Sequence, residues 1–129
     1  MPEAQDDFVI FSYTRTQALE DGVLVDVTPT AREAGFRYPV AVTQAVWHQI
    51  ISPDEESRAL GQSEEGRLWD VLWMLKYAIR LTRGPVDTLT YDLLVVQDGA
   101  RAAPATLKAV CGPDDDGSPC VTIMLPEED

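Results

Sequence analysis

Residues 63–83, SEEGRLWDVLWMLKYAIRLTR, decide the fold. Leu68, Leu72, Leu75 and Ile79 recur at helical spacing, with Val71 and Ala78 beside them, the pattern of an amphipathic helix. Trp69, Trp73 and Tyr77 form a second apolar stripe next to the first. Two adjoining stripes leave a narrow wet face, so the expectation is a central helix that is largely buried. The ends agree with a helix. Ser63 is placed to cap the start, and Glu64 and Glu65 put negative charge in the first turn. Lys76, Arg80 and Arg83 gather toward the other end, where Gly84 and Pro85 stop it. Gly66 costs about 1 kcal/mol relative to alanine, which the packed stripes outweigh.

C-terminal to this helix, Leu89, Tyr91, Leu93 and Val95 alternate with Thr90, Asp92, Leu94 and Val96 and read as a strand. Asp98-Gly99 begins a connection that contains Arg101 and Pro104. Thr106–Cys111 and Cys120–Leu125 then flank the loop Gly112–Pro119 as a hairpin. A tight tip at Asp115-Asp116-Gly117 puts glycine where a bulge needs positive φ. That register opposes Leu107 to Leu125, Ala109 to Ile123 and Cys111 to Val121 on one face. Cys120 falls on the other face, so both thiols are expected free.

N-terminal to the helix the pieces are shorter. Phe8–Phe11 reads as a strand or anchoring segment. Thr14 and Gln17 have capping-box spacing for a short helix that Gly22 closes. Val23, Val25 and Val27 alternate as a strand. Thr28-Pro29 starts a second short helix that ends at Gly35. Phe36–Val42 is a strand that Pro39 keeps short, bent or at an edge. Thr43 caps a third helix with Val46, Ile50, Trp47 and Ile51 on its apolar side. Asp54–Gln62 is expected to be an acidic connection. The fold class that follows is α+β: one domain over 1–129, with 1–7 frayed, in which an antiparallel β-meander packs on one long central helix beside short N-terminal helices and strands.

Hydrophobic residues make up 45% of the 129 residues, enough for one packed domain. There are 22 acidic against 10 basic residues, a formal net charge of -12. That balance argues against direct nucleic-acid binding, which draws on Lys and Arg, and favours attraction to a basic protein surface. The chain begins with acids and shows neither a secretory signal nor a membrane-length apolar run. The expected location is cytoplasmic, with no membrane partner and the oligomeric state open.

No residue set carries recognisable catalysis, and no cofactor or metal is expected. His48 has no motif placing Ser or Cys beside it, and its expected state is a partly exposed helix residue. Asp114-Asp115-Asp116-Gly117 fails the calcium-loop pattern, because Ser118 and Pro119 stand where a ligand and a glycine are needed. The acids themselves are the leading interaction residues: Asp54, Glu55, Glu56, Glu64, Glu65, Asp114, Asp115, Asp116, Glu127, Glu128 and Asp129. The alternative is an enzyme or small-ligand protein with a cleft built from Tyr13, Arg15, Tyr38, Arg67 and Asp70. A third reading is a structural protein that self-associates through the aromatic helix.

Residues 11–27 (FSYTRTQALEDGVLVDV), 30–43 (TAREAGFRYPVAVT), 64–75 (EEGRLWDVLWML) and 121–129 (VTIMLPEED) together resemble an uncharacterised family. It is a domain of unknown function in small acidic proteins carried by bacterial plasmids, phages and other mobile elements. The resemblance covers nearly the whole chain and brings no catalytic residues. It implies a setting of genes that move between bacteria and meet host defences. In that setting a short acidic protein can occupy the basic, nucleic-acid-binding surface of a host enzyme.

Overall fold

The computed structural model describes residues 13–97 and 101–128. In chain order the elements are α1 (Arg15–Glu20), β1 (Leu24–Asp26), α2 (Thr28–Glu33), β2 (Val40–Thr43) and α3 (Gln44–Val46), which runs into a π-helical turn (Trp47–Ile51). Then come α4 (Glu55–Ala59), α5 (Glu64–Leu81), β3 (Thr88–Gln97), β4 (Arg101–Pro113) and β5 (Pro119–Met124). The strand or anchoring segment expected at Phe8–Phe11 and the frayed start expected at 1–7 lie outside the described residues.

The long helix forms where its periodicity places it. The Ser63 hydroxyl accepts from the Gly66 N–H at 3.0 Å, and Glu64 and Glu65 occupy the first turn. Leu68, Val71, Leu72 and Leu75 face the sheet and are buried. Tyr91 of β3 reaches across to donate its hydroxyl to the Val71 carbonyl at 3.1 Å. Burial pushes the Tyr91 hydroxyl pKa far up, so it remains a donor.

Among the described residues the strands form one five-stranded sheet in the order β1-β2-β5-β4-β3. β3, β4 and β5 are an antiparallel meander. The hairpin adopts the expected register, with Ala109 opposite Ile123 and Cys111 opposite Val121. Gly117 has φ 87° at the tip. Cys111 and Cys120 are free thiols on opposite faces. The N-terminal strands join the same sheet through a parallel pairing of β2 with β5. Val40, Ala41 and Val42 are buried in succession because both faces of β2 are covered. Val40 and Val42 belong to the core under α5. Ala41, Cys120 and Met124 are buried on the opposite face, where Arg15 of α1 bonds Thr122 at 2.6 Å.

Three expectations are corrected. The acidic connection 54–62 contains the helix α4, because the Asp54 carboxylate accepts from the Ser57 N–H at 2.8 Å and starts a turn. Arg101–Pro104 belongs to β4 and is not a connection. Pro104 is tolerated there because β5 reaches only as far as Lys108, so its missing N–H breaks no ladder. The largest correction concerns α5. Its second stripe is not buried: Trp73 is 39% and Tyr77 56% exposed, with Met74, Leu81 and, from the first stripe, Ile79 also open.

Gly35, which ends α2, has φ 100°, and a Cβ there falls 2.6 Å from Lys76 Nζ. Lys76 donates to the Ala34 carbonyl at 2.8 Å and lies 4.8 Å above the Trp73 ring. Gly35→Ala is therefore expected to cost about 1–2 kcal/mol by backbone strain and loss of the Lys76 tie. Urea denaturation measures it, and an unchanged midpoint refutes it.

Candidate functional site

The acids expected to form an interaction surface fall into three groups spaced along β4. Asp54, Glu55, Glu56, Glu64 and Glu65 sit around the starts of α4 and α5, tied to the Val96 end of the sheet by the Ser57 hydroxyl at 3.1 Å. Glu127 and Glu128 follow β5, where Lys108 donates to the Glu128 carbonyl. Asp114–Asp116 lie beyond Pro113. The register places Ala102, Lys108 and Asp114 near the three groups in turn, about 20 Å apart at each step.

Several of these carboxylates are occupied by the fold. Asp115 accepts from the Arg15 N–H (2.9 Å), the Thr16 N–H (3.0 Å) and the Thr16 hydroxyl (2.6 Å), pinning α1 to the hairpin. Asp114 and Asp116 accept from the N–H groups of Asp115 and Ser118. Glu128 accepts from the Thr43 hydroxyl at 2.7 Å and the Leu125 N–H at 2.8 Å. Glu64 lies 3.7 Å from Arg58. Glu55, Glu56 and Glu127 are exposed on the surface, and Asp129 lies outside the described residues.

The Asp115 contact has a pH signature. Bonds from the Thr16 hydroxyl and N–H and from the Arg15 N–H hold its carboxyl below the ordinary 3.8. Its contribution is complete above that unfolded-state value and is lost as pH falls through the lower folded-state value. Wild type is therefore expected to lose more melting temperature than Asp115→Ala between about pH 5 and pH 3. Equal losses contradict the assignment.

The alternative cleft does not assemble. Tyr13 donates to Asp21 at 2.7 Å beside α1. Arg15 bonds Thr122 and the Val121 carbonyl on the sheet face away from α5. Tyr38 lines an apolar cleft of about 490 Å³ with Phe36, Ile79 and Val86, near the end of α5. Arg67 and Asp70 stand at the other end of that helix. The five side chains occupy three environments because α1 and α5 lie on opposite faces of the sheet.

The feature that periodicity concealed is the outer face of α5. Trp73, Tyr77 and Leu81 follow one another along it. Trp69 packs edge-on against Trp73 with ring centroids 5.8 Å apart, which fixes the Trp73 ring without covering it. Beside Trp73 and Met74 a groove of about 390 Å³ opens against β3, bordered by Asp70, Asp92 and the 68% exposed Leu94.

The chain matches over residues 3–129 the model of a "Family of unknown function (DUF6573)". The chain belongs to that family. Comparison with curated proteins finds no match, and comparison with solved structures finds none. Residue roles in this DUF6573 chain therefore follow from its own geometry.

Arg67, expected in a cleft, is the second feature that the sequence does not reveal. It is 4% exposed, and its guanidinium donates to the Ile50 carbonyl at 3.1 Å, to the Val96 carbonyl, and to Gln62 at 3.4 Å. Burial lowers its pKa; Asp54 and Asp70 counter that, and Arg58 adds to it. Burial also raises the Asp70 carboxyl, against the pull of Arg67. Arg67 thus ties α5, the π turn and β3 together, a structural duty. His48 is exposed. Among the described residues no group of His, Cys, Asp and Glu is placed to hold a metal ion, and no helix is long and apolar enough to cross a membrane. The exposed surface of α5 is an aromatic strip with the Lys76 ammonium over Trp73 and with Asp70 and Asp92 bordering the groove beside it.

Proposed function

We propose that this chain is a non-catalytic interaction protein of a bacterial mobile element, acting in the cytoplasm on a basic surface of a host nucleic-acid-handling or defence protein. The observation that carries an interaction role is the open Trp73 and Tyr77 on α5, which makes the centre of the surface apolar and not anionic as expected; the net charge of -12 is what favours a basic partner around it. Exposed aromatics supply the desolvated centre on which interface energy concentrates. Carboxylates around them steer a cationic partner and exclude an anionic one. Glu55, Glu56 and Glu65 are exposed, and Glu65 begins about 12 Å before Trp73 along the helix. This group serves the role better than the hairpin acids or Glu128, which hold the fold. The mobile-element setting is supported by the resemblance of the four segments quoted above.

Capture from a bacterial lysate at low and high salt tests the reading. Wild type is expected to retain a basic partner that salt releases. The double variant Trp73→Ser/Tyr77→Ser and the triple variant Glu55→Gln/Glu56→Gln/Glu65→Gln are each expected to lose it. Retention by both variants, or indifference to salt, overturns the proposal.

Self-association is a second reading with its own observation. In an antiparallel pair of α5 helices centred on Leu75, Trp73 meets the other copy's Tyr77 and Asp70 meets its Arg80, all exposed. Such an interface tightens with salt, which screens the net repulsion. Light scattering against salt separates the two.

A further inference from the structure

We propose that the free edge of β3 receives an extended segment of the partner as a sixth strand, and that this segment carries Lys or Arg between apolar residues. The inference rests on the reading of a basic partner and states how that partner docks.

β3 is the last strand of the sheet, so one edge of its backbone meets no other strand among the described residues. The Cys111 N–H donates to the Asp87 carbonyl at 2.8 Å. Alternation from that bond turns the backbone groups of Leu89, Tyr91, Leu93 and Val95 toward β4. Those of Thr90, Asp92, Leu94 and Val96 turn outward. The Val96 carbonyl confirms the phase, because Arg67 and the Ser57 hydroxyl take it from outside the sheet. That end of the edge is closed. The outward N–H and C=O groups of Thr90, Asp92 and Leu94 make no hydrogen bond among the described residues. Such an edge is a template for another strand.

The side chains around the edge say what that strand carries. Side chains of an added strand alternate between the two faces. On the α5 face they enter the groove beside Trp73, Met74 and Asp70. On the other face they meet Leu94 and Asp92, whose carboxylate accepts from Thr106 at 2.6 Å and keeps further acceptor capacity. Among the described residues, Asp70 and Asp92 are the charged ones bordering the groove. A Lys or Arg opposite Asp92 makes a favourable cross-strand pair, and apolar neighbours fill the groove. A second copy fits less well, since two-fold pairing of β3 brings Asp92 close to its own mate and adds two chains of net charge -12.

Residue-resolved amide hydrogen exchange, with a capped Thr-Val-Lys-Val-Lys-Val-Thr probe, tests the proposal. The probe is expected to slow exchange at Thr90, Asp92 and Leu94, while Leu89, Tyr91, Leu93 and Val95 are already slow. Asp92→Lys is expected to weaken the probe about fivefold. Leu94→Pro removes only an outward N–H, so it keeps the fold and loses the probe. A probe with Glu for Lys is expected not to bind. Absent or non-alternating protection, or equal binding of the Glu probe, overturns the proposal. Protection of the same amides without probe also overturns it: if present at any dilution it assigns the edge to the chain itself, and if it grows with concentration it assigns the edge to a second copy. Salt-sensitive capture that depends on Trp73 with no protection of β3 sinks the edge proposal alone. Failure of both sinks the functional reading as well.

Discussion

Arg67→Ala is expected to lower stability by about 3 kcal/mol, measured as a shift in the urea midpoint at unchanged slope. The side chain is almost wholly buried and gives two strong donors to main-chain carbonyls, at Ile50 and Val96. Charge-assisted bonds of this kind are each worth about 1.5–3 kcal/mol. Removing them strips the Ile50 carbonyl of this donor and leaves the Val96 carbonyl only the Ser57 hydroxyl. Arg67→Lys is expected to recover about half, because an ammonium cannot span both carbonyls as the planar fork does. A neutral Arg67→Ala would show that the guanidinium is a bystander and that another contact joins α5 to the sheet edge.

The second large effect is a contrast between neighbours. Leu72 is fully buried at the centre of the core, and Leu72→Ala is expected to cost about 3–4 kcal/mol. Trp73, one residue along, contributes the Trp69 edge contact and the Lys76 cation–π contact but lies largely outside the core. Trp73→Ser is expected to cost only about 1 kcal/mol. Comparable losses at the two positions would mean that the aromatic stripe is buried after all. Thermal and urea unfolding of the two variants read this directly.

That contrast also marks where sequence reasoning succeeds and fails. Leu68, Leu72 and Leu75 at helical spacing located the face of α5 that meets the sheet. Period 2 located β3, and glycine at a required positive φ pinned the β4–β5 register at Gly117. Burial of the second stripe did not follow, because periodicity reports which residues share a face and not how many faces a small domain can cover. The long helix has one sheet face to pack on, the other being occupied at α1, and Trp73 and Tyr77 point away from it. The parallel β2–β5 pair was hidden because it joins residues about 80 apart and leaves no local signal beyond the apolar run Val40-Ala41-Val42. The acids expected to interact were legible as charge but not as a surface. Asp115 and Glu128 look like any solvated acid in the sequence, yet each accepts at least two bonds that close the fold.

The outer face of α5 is open in the free protein, and the proposed function requires a partner to cover it. Acrylamide quenching of a Trp47→Phe/Trp69→Phe variant, in which Trp73 is the remaining tryptophan, measures this most directly when the sample is shown monomeric by light scattering. Strong quenching of the free monomer is expected, with shielding once the captured basic partner is added. A Trp73 already shielded in the dilute monomer, or one equally quenched in the complex, contradicts it.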